Sequence, residues 1–331
     1  MKKILITGSE GFIGSHLTEE LLRNGYKVRA FILYNSFNSV GWLKELNKNK
    51  NLELFFGDVR DPENVEKAIK GCHQVIHLAA LISIPYSFFS SKVFFETNVK
   101  GTMNILNSAK NNNLEKIIIT STSEVFGTCQ KSPMGEDHPI NSQSPYAASK
   151  VAADQLAKSF YASFKTPVII LRPFNTIGPR QSLRAIIPTI ITQILNNKKK
   201  IKLGNINTSR DFNYVKDITS AYLKVVKSKN KKIFGQDYNI GSGSHYKINE
   251  VLKIVSKIIN KKIKINVEKK RIRPYQSEVL KLVADSNKFK KMFKWKPKYS
   301  SKKNFELSLK ETINWYKKNL NQFKNFGNYN Y

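Results

Sequence analysis

The chain has 331 residues, 40% of them apolar, enough for one large domain with an embedded lobe or for two domains. Its formal charge is +32, but the lysines sit in short scattered clusters such as Lys198-Lys199-Lys200 and Lys269-Lys270-Arg271, with no zinc finger, aromatic RNP pattern or basic heptad helix. That argues against specific nucleic-acid binding and leaves a positive field that attracts anionic ligands; no apolar run approaches the roughly 18 residues of a membrane span.

Lys3-Ile4-Leu5-Ile6-Thr7 is a short apolar run ending in glycine, the pattern of a strand. It is too short for the core of a signal peptide, so a cytoplasmic protein is expected. Residues 12–24 carry apolar positions at helical spacing and stop at Asn24-Gly25. Strands follow at 28–33 and 52–56, a helix at 62–70 and a strand at 74–78. A helix around 92–111 precedes a strand at 116–120, and a helix starting near Tyr146 precedes a strand at 167–171. The alternation predicts an α/β fold: a Rossmann-type, doubly wound parallel sheet with helices on both faces. Such sheets bind ligands beyond the carboxyl ends of their strands.

After Arg172-Pro173 the pattern loosens, although a helix at 215–226 and a strand at 237–241 return to it. The expected division is a dinucleotide-binding domain of residues 1–174 and 209–242, with a smaller, discontinuous C-terminal α/β substrate lobe of residues 175–208 and 243–331. The Asn/Tyr-rich tail after Phe323 is expected to fray. Cys72 and Cys129 belong to no CxxC or Cys/His cluster, so free thiols and no metal site are expected.

Gly8-Ser9-Glu10-Gly11-Phe12-Ile13-Gly14 stands where the first strand gives way to a helix. Glycine there permits positive φ and lets the backbone approach a pyrophosphate, while the helix offers free N–H groups. Gly8, Gly11, Phe12, Ile13 and Gly14 are therefore candidate dinucleotide contacts. The second strand ends in Leu33-Tyr34-Asn35-Ser36, without the acid that usually holds the adenosine ribose. No arginine stands there for a 2′-phosphate either, so NAD and NADP both remain open. Asp58, in Gly57-Asp58-Val59-Arg60, is either an adenine contact or a loop cap. His16 and His77 read as helix-surface and strand-end residues rather than ligands.

Tyr146-Ala147-Ala148-Ser149-Lys150 puts a tyrosine and a lysine on one helix face. A free phenol is too weak an acid to act as a base near neutrality. A nearby ammonium and a positive nicotinamide would lower its pKa and let Tyr146 take a proton from a hydroxyl. Ser121-Thr122-Ser123-Glu124 lies at the carboxyl end of a predicted strand, where side chains meet a substrate.

Together with His77-Leu78-Ala79-Ala80, Asn98-Val99-Lys100-Gly101-Thr102 and Arg172-Pro173-Phe174-Asn175, these segments resemble the extended short-chain dehydrogenases, over nearly the whole chain. Thr122-Ser123-Glu124 resembles the nucleotide-sugar 4,6-dehydratases. Tyr34-Asn35-Ser36-Phe37-Asn38-Ser39 with Gly41-Trp42-Leu43 resembles the branch that acts on nucleotide-linked N-acetylglucosamine in legionaminic-acid-type nonulosonate synthesis; position 40 is valine where that branch carries tryptophan. The resemblance implies a recycled NAD(P), with Asp58, Val59, Leu78, Ala79 and Ala80 also lining its site. It implies a lyase in which Glu124 removes the C5 proton and Thr122 bonds the C4 oxygen. Ser123 stands where the dTDP-glucose type has an aspartate acid and the GDP-mannose type has serine. The donor is expected to be GDP- or UDP-N-acetylglucosamine, with retention at C5.

The resemblance also implies that Asn175, Arg210, Arg273 and Arg180 approach the diphosphate, that Glu278 holds the nucleotide ribose and that Ser83 and Tyr86 meet the sugar. It implies a homodimer through the helices near 92–111 and 146–164. Two alternatives stay open: a 4-epimerase with the same cofactor, and a non-catalytic dinucleotide- or RNA-binding relative.

Overall fold

The structure, a computed structural model, describes residues 1–323 apart from Asn47 and Lys199, so the tail after Phe323 lies outside the described residues. Seven strands form the main sheet: β1 (Lys3–Thr7), β2 (Lys27–Leu33), β3 (Leu52–Gly57), β4 (Gln74–His77), β5 (Lys116–Thr120), β6 (Val168–Pro173) and β7 (Asp237–Ile240). Their order is β7-β6-β5-β4-β1-β2-β3, and every pairing is parallel. A strand covered on both faces needs apolar side chains on both, which is why these segments read as unbroken apolar runs.

The two faces divide by the period of two. Ile4, Ile6 and Ile76 pack under α1 (Phe12–Arg23) and the later helix Val215–Lys227. Leu5, Val75, Ile117 and Ile119 pack under α2 (Pro62–Ile69), α3 (Gly101–Asn111) and α4 (Pro145–Phe164). Strand order reverses between β1 and β4, opening a crevice at their carboxyl ends.

The helix expected around 92–111 is not uniform. A turn of α-helix, Ser91–Phe94, runs into a π-helical segment, Phe95–Lys100, and then into α3. The wider turn carries Asn98 inward, where its amide bonds both the N–H and the C=O of Leu81 and donates to Ser149 on α4.

A second core gathers four isoleucines of the helix Ile186–Leu195, Val251 and Val255 of the helix Ile248–Ile259, and Phe305, Leu309 and Ile313 of the helix Lys302–Lys318. Short strands flank it. Lys200–Leu203 pairs in parallel with Lys264–Val267, and Ser209–Arg210 lies between Tyr246–Lys247 and Lys281–Leu282. Among the described residues no helix is long and apolar enough to cross a membrane, no His/Cys/Asp/Glu group could hold a metal, and both cysteines are free thiols.

Candidate active site

The glycine loop is shaped by close backbone approach. Gly8 has φ +67°, and a Cβ there would lie 2.9 Å from the Ala79 amide; a Cβ on Gly14 would lie 2.2 Å from the Gly8 carbonyl. The loop thus presses on the chain leaving β4. Thr7 Oγ1 accepts the amides of Leu78 and Ala79 and bonds His77 Nδ1 at 2.8 Å. Helix α1 opens at Gly11, which has no side chain to cap the first turn. The leading amides at Phe12 and Ile13 are therefore free for an anion, and the loop fits a dinucleotide diphosphate. Gly14→Ala sets a methyl group against backbone, so it should cost about 1–3 kcal/mol of stability and weaken dinucleotide binding; a thermal melt with and without NAD would expose an unchanged protein.

Around this loop the other cofactor candidates fall into place unevenly. Leu78, Ala79 and Ala80 line the exit of β4, half-buried. Val59 is buried against Gly101. Asp58 has the contacts of a loop cap, its carboxylate accepting the amide and guanidinium of Arg60. His16 is not a surface residue. Its ring bonds the Pro179 carbonyl at 3.1 Å, and burial lowers its pKa to about 4. His77 does end its strand, fully buried, its pKa lowered by burial to about 3.

The chain leaving β5 carries Thr122 into a short 3-10 turn, Ser123–Phe126, where Thr122 Oγ1 accepts the Glu124 amide at 3.3 Å. Helix α4 starts beside it, with Ser144 capping the Ala147 amide and Pro145 in the first turn. This start fixes Tyr146, whose phenol hydrogen-bonds Thr122, and one turn on Lys150, whose Nζ donates to the Thr120 carbonyl at 2.6 Å.

Burial, rather than the ammonium, sets the direction for the phenol in this structure. Burial pushes the Tyr146 pKa up, the bond from Thr122 lowers it in part, and the charges of Glu124 and Asp154 raise it further. Lys150 is held by burial at about 8, with Asp154 pulling it upward. Its charge is present below that pH and lost above it. The expected result is an alkaline limb in kcat/KM near pH 8. Lys150→Arg, charged throughout, should remove that limb from the residual activity; an unmoved limb would assign it to another group.

Behind the pair lies a buried ionic network that sequence reasoning missed. Asp154 Oδ2 accepts from Ser121 Oγ at 2.8 Å and twice from Arg172, at 3.1 and 3.0 Å. Arg172, with none of its surface exposed, also reaches Asp237 at 2.7 Å, and Lys158 meets Asp237 at 2.8 Å. One signal was available: Asp154 follows Lys150 by four residues, on the face that already carries Tyr146.

Residues far apart in the chain meet opposite Tyr146. Arg273 Nη1 is 3.7 Å from Glu124 Oε2. Arg210 is buried in the strand Ser209–Arg210, donates to the Ser209 carbonyl at 3.0 Å, and feels the charges of Glu124, Arg273 and Glu278. Asn175 accepts the Asn213 amide through its backbone, and its side-chain oxygen is buried with no hydrogen-bond partner among the described residues. Ser83 precedes the short helix Ile84–Phe89, from which Tyr86 packs on Phe94, itself edge-on to Tyr146. Arg180 lies apart from this group. It pairs with Glu19 at 2.5 Å and donates to Ser15, both on α1.

The glycine loop, the switch-point crevice and the Tyr146–Lys150 pair define an extended short-chain dehydrogenase/reductase. The chain belongs to the GDP-mannose 4,6 dehydratase family, which matches residues 5–307. A dTDP-D-glucose 4,6-dehydratase of Dictyostelium discoideum is 37% identical over 78% of this chain, the match spanning 62% of that relative's length. The dTDP-glucose 4,6-dehydratase of Bacillus anthracis, solved with NAD, superposes with a TM-score of 0.85 at 30% identity, covering 97% of this chain and 98% of that one. The UDP-glucuronic acid 4-epimerase of Bacillus cereus, solved with UDP-glucuronic acid and NAD, gives 0.88 at 27% identity over 96% and 99%. The chain therefore stands among the nucleotide-sugar 4,6-dehydratases and 4-epimerases.

Proposed function

We propose that the protein is a nucleotide-sugar 4,6-dehydratase that converts GDP- or UDP-N-acetylglucosamine to the 4-keto-6-deoxy sugar nucleotide. The observation that carries this reading is Glu124. It is a carboxylate beside the Thr122–Tyr146 pair, with Arg273 against it. The glycine loop would hold a nicotinamide dinucleotide, which would supply hydride acceptor and donor chemistry and a positive charge that favours the phenolate.

Tyr146 takes the proton of the C4 hydroxyl, and Thr122 holds the oxygen as it becomes a ketone. The ketone acidifies the C5–H bond. Glu124 takes that proton and passes it to the C6 hydroxyl, which leaves as water. As C6 gains its hydrogen C5 is reprotonated, a proton balanced by the one that Tyr146 took from the C4 hydroxyl and now gives up. Arg210 and Arg273 hold the diphosphate from the far side, with Asn175 beside them and Glu278 on the nucleotide ribose. Ser83 and Tyr86 face the sugar. Arg180, engaged with Glu19, takes part only if it changes partner.

The same reading assigns the substrate lobe to residues 175–208 and 243–331, and a place in legionaminic-acid-type nonulosonate synthesis in the cytoplasm. It assigns a homodimer through α3 and α4, whose surroundings expose Phe95, Met103 and Phe164. Light scattering on the purified protein would give twice the chain mass.

A 4-epimerase is the second reading, favoured by the TM-score of 0.88 to the Bacillus cereus epimerase. Incubation with GDP- and UDP-N-acetylglucosamine, each with NAD and with NADP, followed by mass spectrometry separates the two. Loss of about 18 Da, one water, from one donor supports the dehydratase and identifies its nucleotide. A C4 isomer at unchanged mass supports the epimerase.

A further inference from the structure

The end of β2 has no acid of its own, but the fold brings one there from the glycine loop. Glu10, between Gly8 and Gly11, turns its side chain across to β2. Its Oε1 accepts the Leu33 amide at 3.1 Å, and its Oε2 is buried with no hydrogen-bond partner among the described residues. The residue is braced from behind. Its carbonyl accepts the Trp42 amide at 3.1 Å, and Gly41 packs so closely that a Cβ there would lie 2.7 Å from that carbonyl.

We propose that Glu10 receives the adenosine ribose hydroxyls of the dinucleotide and selects NAD over NADP. The proposal rests on the dinucleotide reading of the glycine loop and is independent of which sugar is used. In this kind of fold the carboxyl end of β2 is where the ribose 2′-hydroxyl lies. An ionised carboxylate only accepts hydrogen bonds, so its open oxygen suits a hydroxyl donor and opposes a phosphate, which brings only acceptors and negative charge. A 2′-phosphate would need a cation close by. The guanidinium at the end of the neighbouring strand, Arg60, is already forked onto Asp58 at 2.9 and 2.5 Å, and among the described residues no cation pairs with Glu10. Burial raises the Glu10 pKa, while the amides of Leu33 and of Glu10 itself lower it.

The test is titration calorimetry of the full chain, freed of bound nucleotide, with NAD and with NADP, for the wild type, Glu10→Gln and Glu10→Ala. Glutamine keeps an acceptor for the Leu33 amide, so Glu10→Gln should melt near the wild type. The wild type should bind NAD at least about tenfold more tightly than NADP, a difference of about 1.4 kcal/mol, and Glu10→Gln should bring that ratio toward one. Equal binding of both dinucleotides by the wild type overturns the proposal. So does a Glu10→Gln protein that loses both affinities in the same proportion, because that marks a packing role. If the folded wild type binds neither dinucleotide, the reading of the loop itself falls.

Discussion

Glu124→Gln should stop water loss from the sugar nucleotide, by about 10²–10⁴-fold, while C4 oxidation continues. The amide keeps the size of the side chain and the turn at Ser123–Phe126, so Thr122 and Tyr146 stay where they are. What it lacks is a site for the C5 proton. The two half-reactions should therefore separate: reduced nicotinamide absorbing near the ultraviolet edge accumulates, and no dehydrated product forms. Unimpaired elimination would show that another group removes the C5 proton. An epimerase, which needs no base at C5, would tolerate the substitution, so the variant also distinguishes the two readings.

Arg172→Ala should unfold the protein far more readily than any surface change, by about 3–5 kcal/mol. The guanidinium is buried between Asp154 and Asp237 and stacks over the Phe126 ring at 5.2 Å. Removing it leaves Asp154, already lacking a partner for Oδ1 among the described residues, as an uncompensated charge beneath Lys150. Denaturant titration would measure the loss. A loss below about 1 kcal/mol, the size of an exposed pair, would show that water or a shifted side chain replaces the cation.

The main sheet was legible because its strands are covered on both faces: Ile4-Leu5-Ile6 and Ile117-Ile118-Ile119 have no polar position to confuse them with a surface helix. The glycine loop and the Tyr146–Lys150 pair were legible because backbone approach and helical spacing are local properties. What the sequence could not carry was non-local. The π turn at Phe95–Lys100 is a slight lengthening inside a helical pattern, too small to disturb its periodicity. Lys200–Leu203 alternates lysine with apolar residues and becomes a strand only against a partner more than sixty residues on. Glu10 carries no role that its place between the glycines discloses, and only the fold brings it to Leu33; Arg180, expected at the diphosphate, pairs here with Glu19. The phenol is a further case. Spacing brings an ammonium near Tyr146, but burial, which spacing does not report, sets the direction of its pKa.

The meeting of Glu124 with Arg273 also has a history in time. The two lie 149 positions apart (273 − 124). At about 5–20 residues per second of synthesis, roughly 7–30 s pass between the appearance of the carboxylate and that of the guanidinium. When the guanidinium appears, the isoleucines of Ile186–Leu195 and Val251 have been made, while Phe305 and Ile313, which complete their cover, have not. The nascent chain at that point carries the completed parallel sheet beside an apolar helix still lacking part of its cover, a stretch open to an in-cell holdase or an aggregating neighbour.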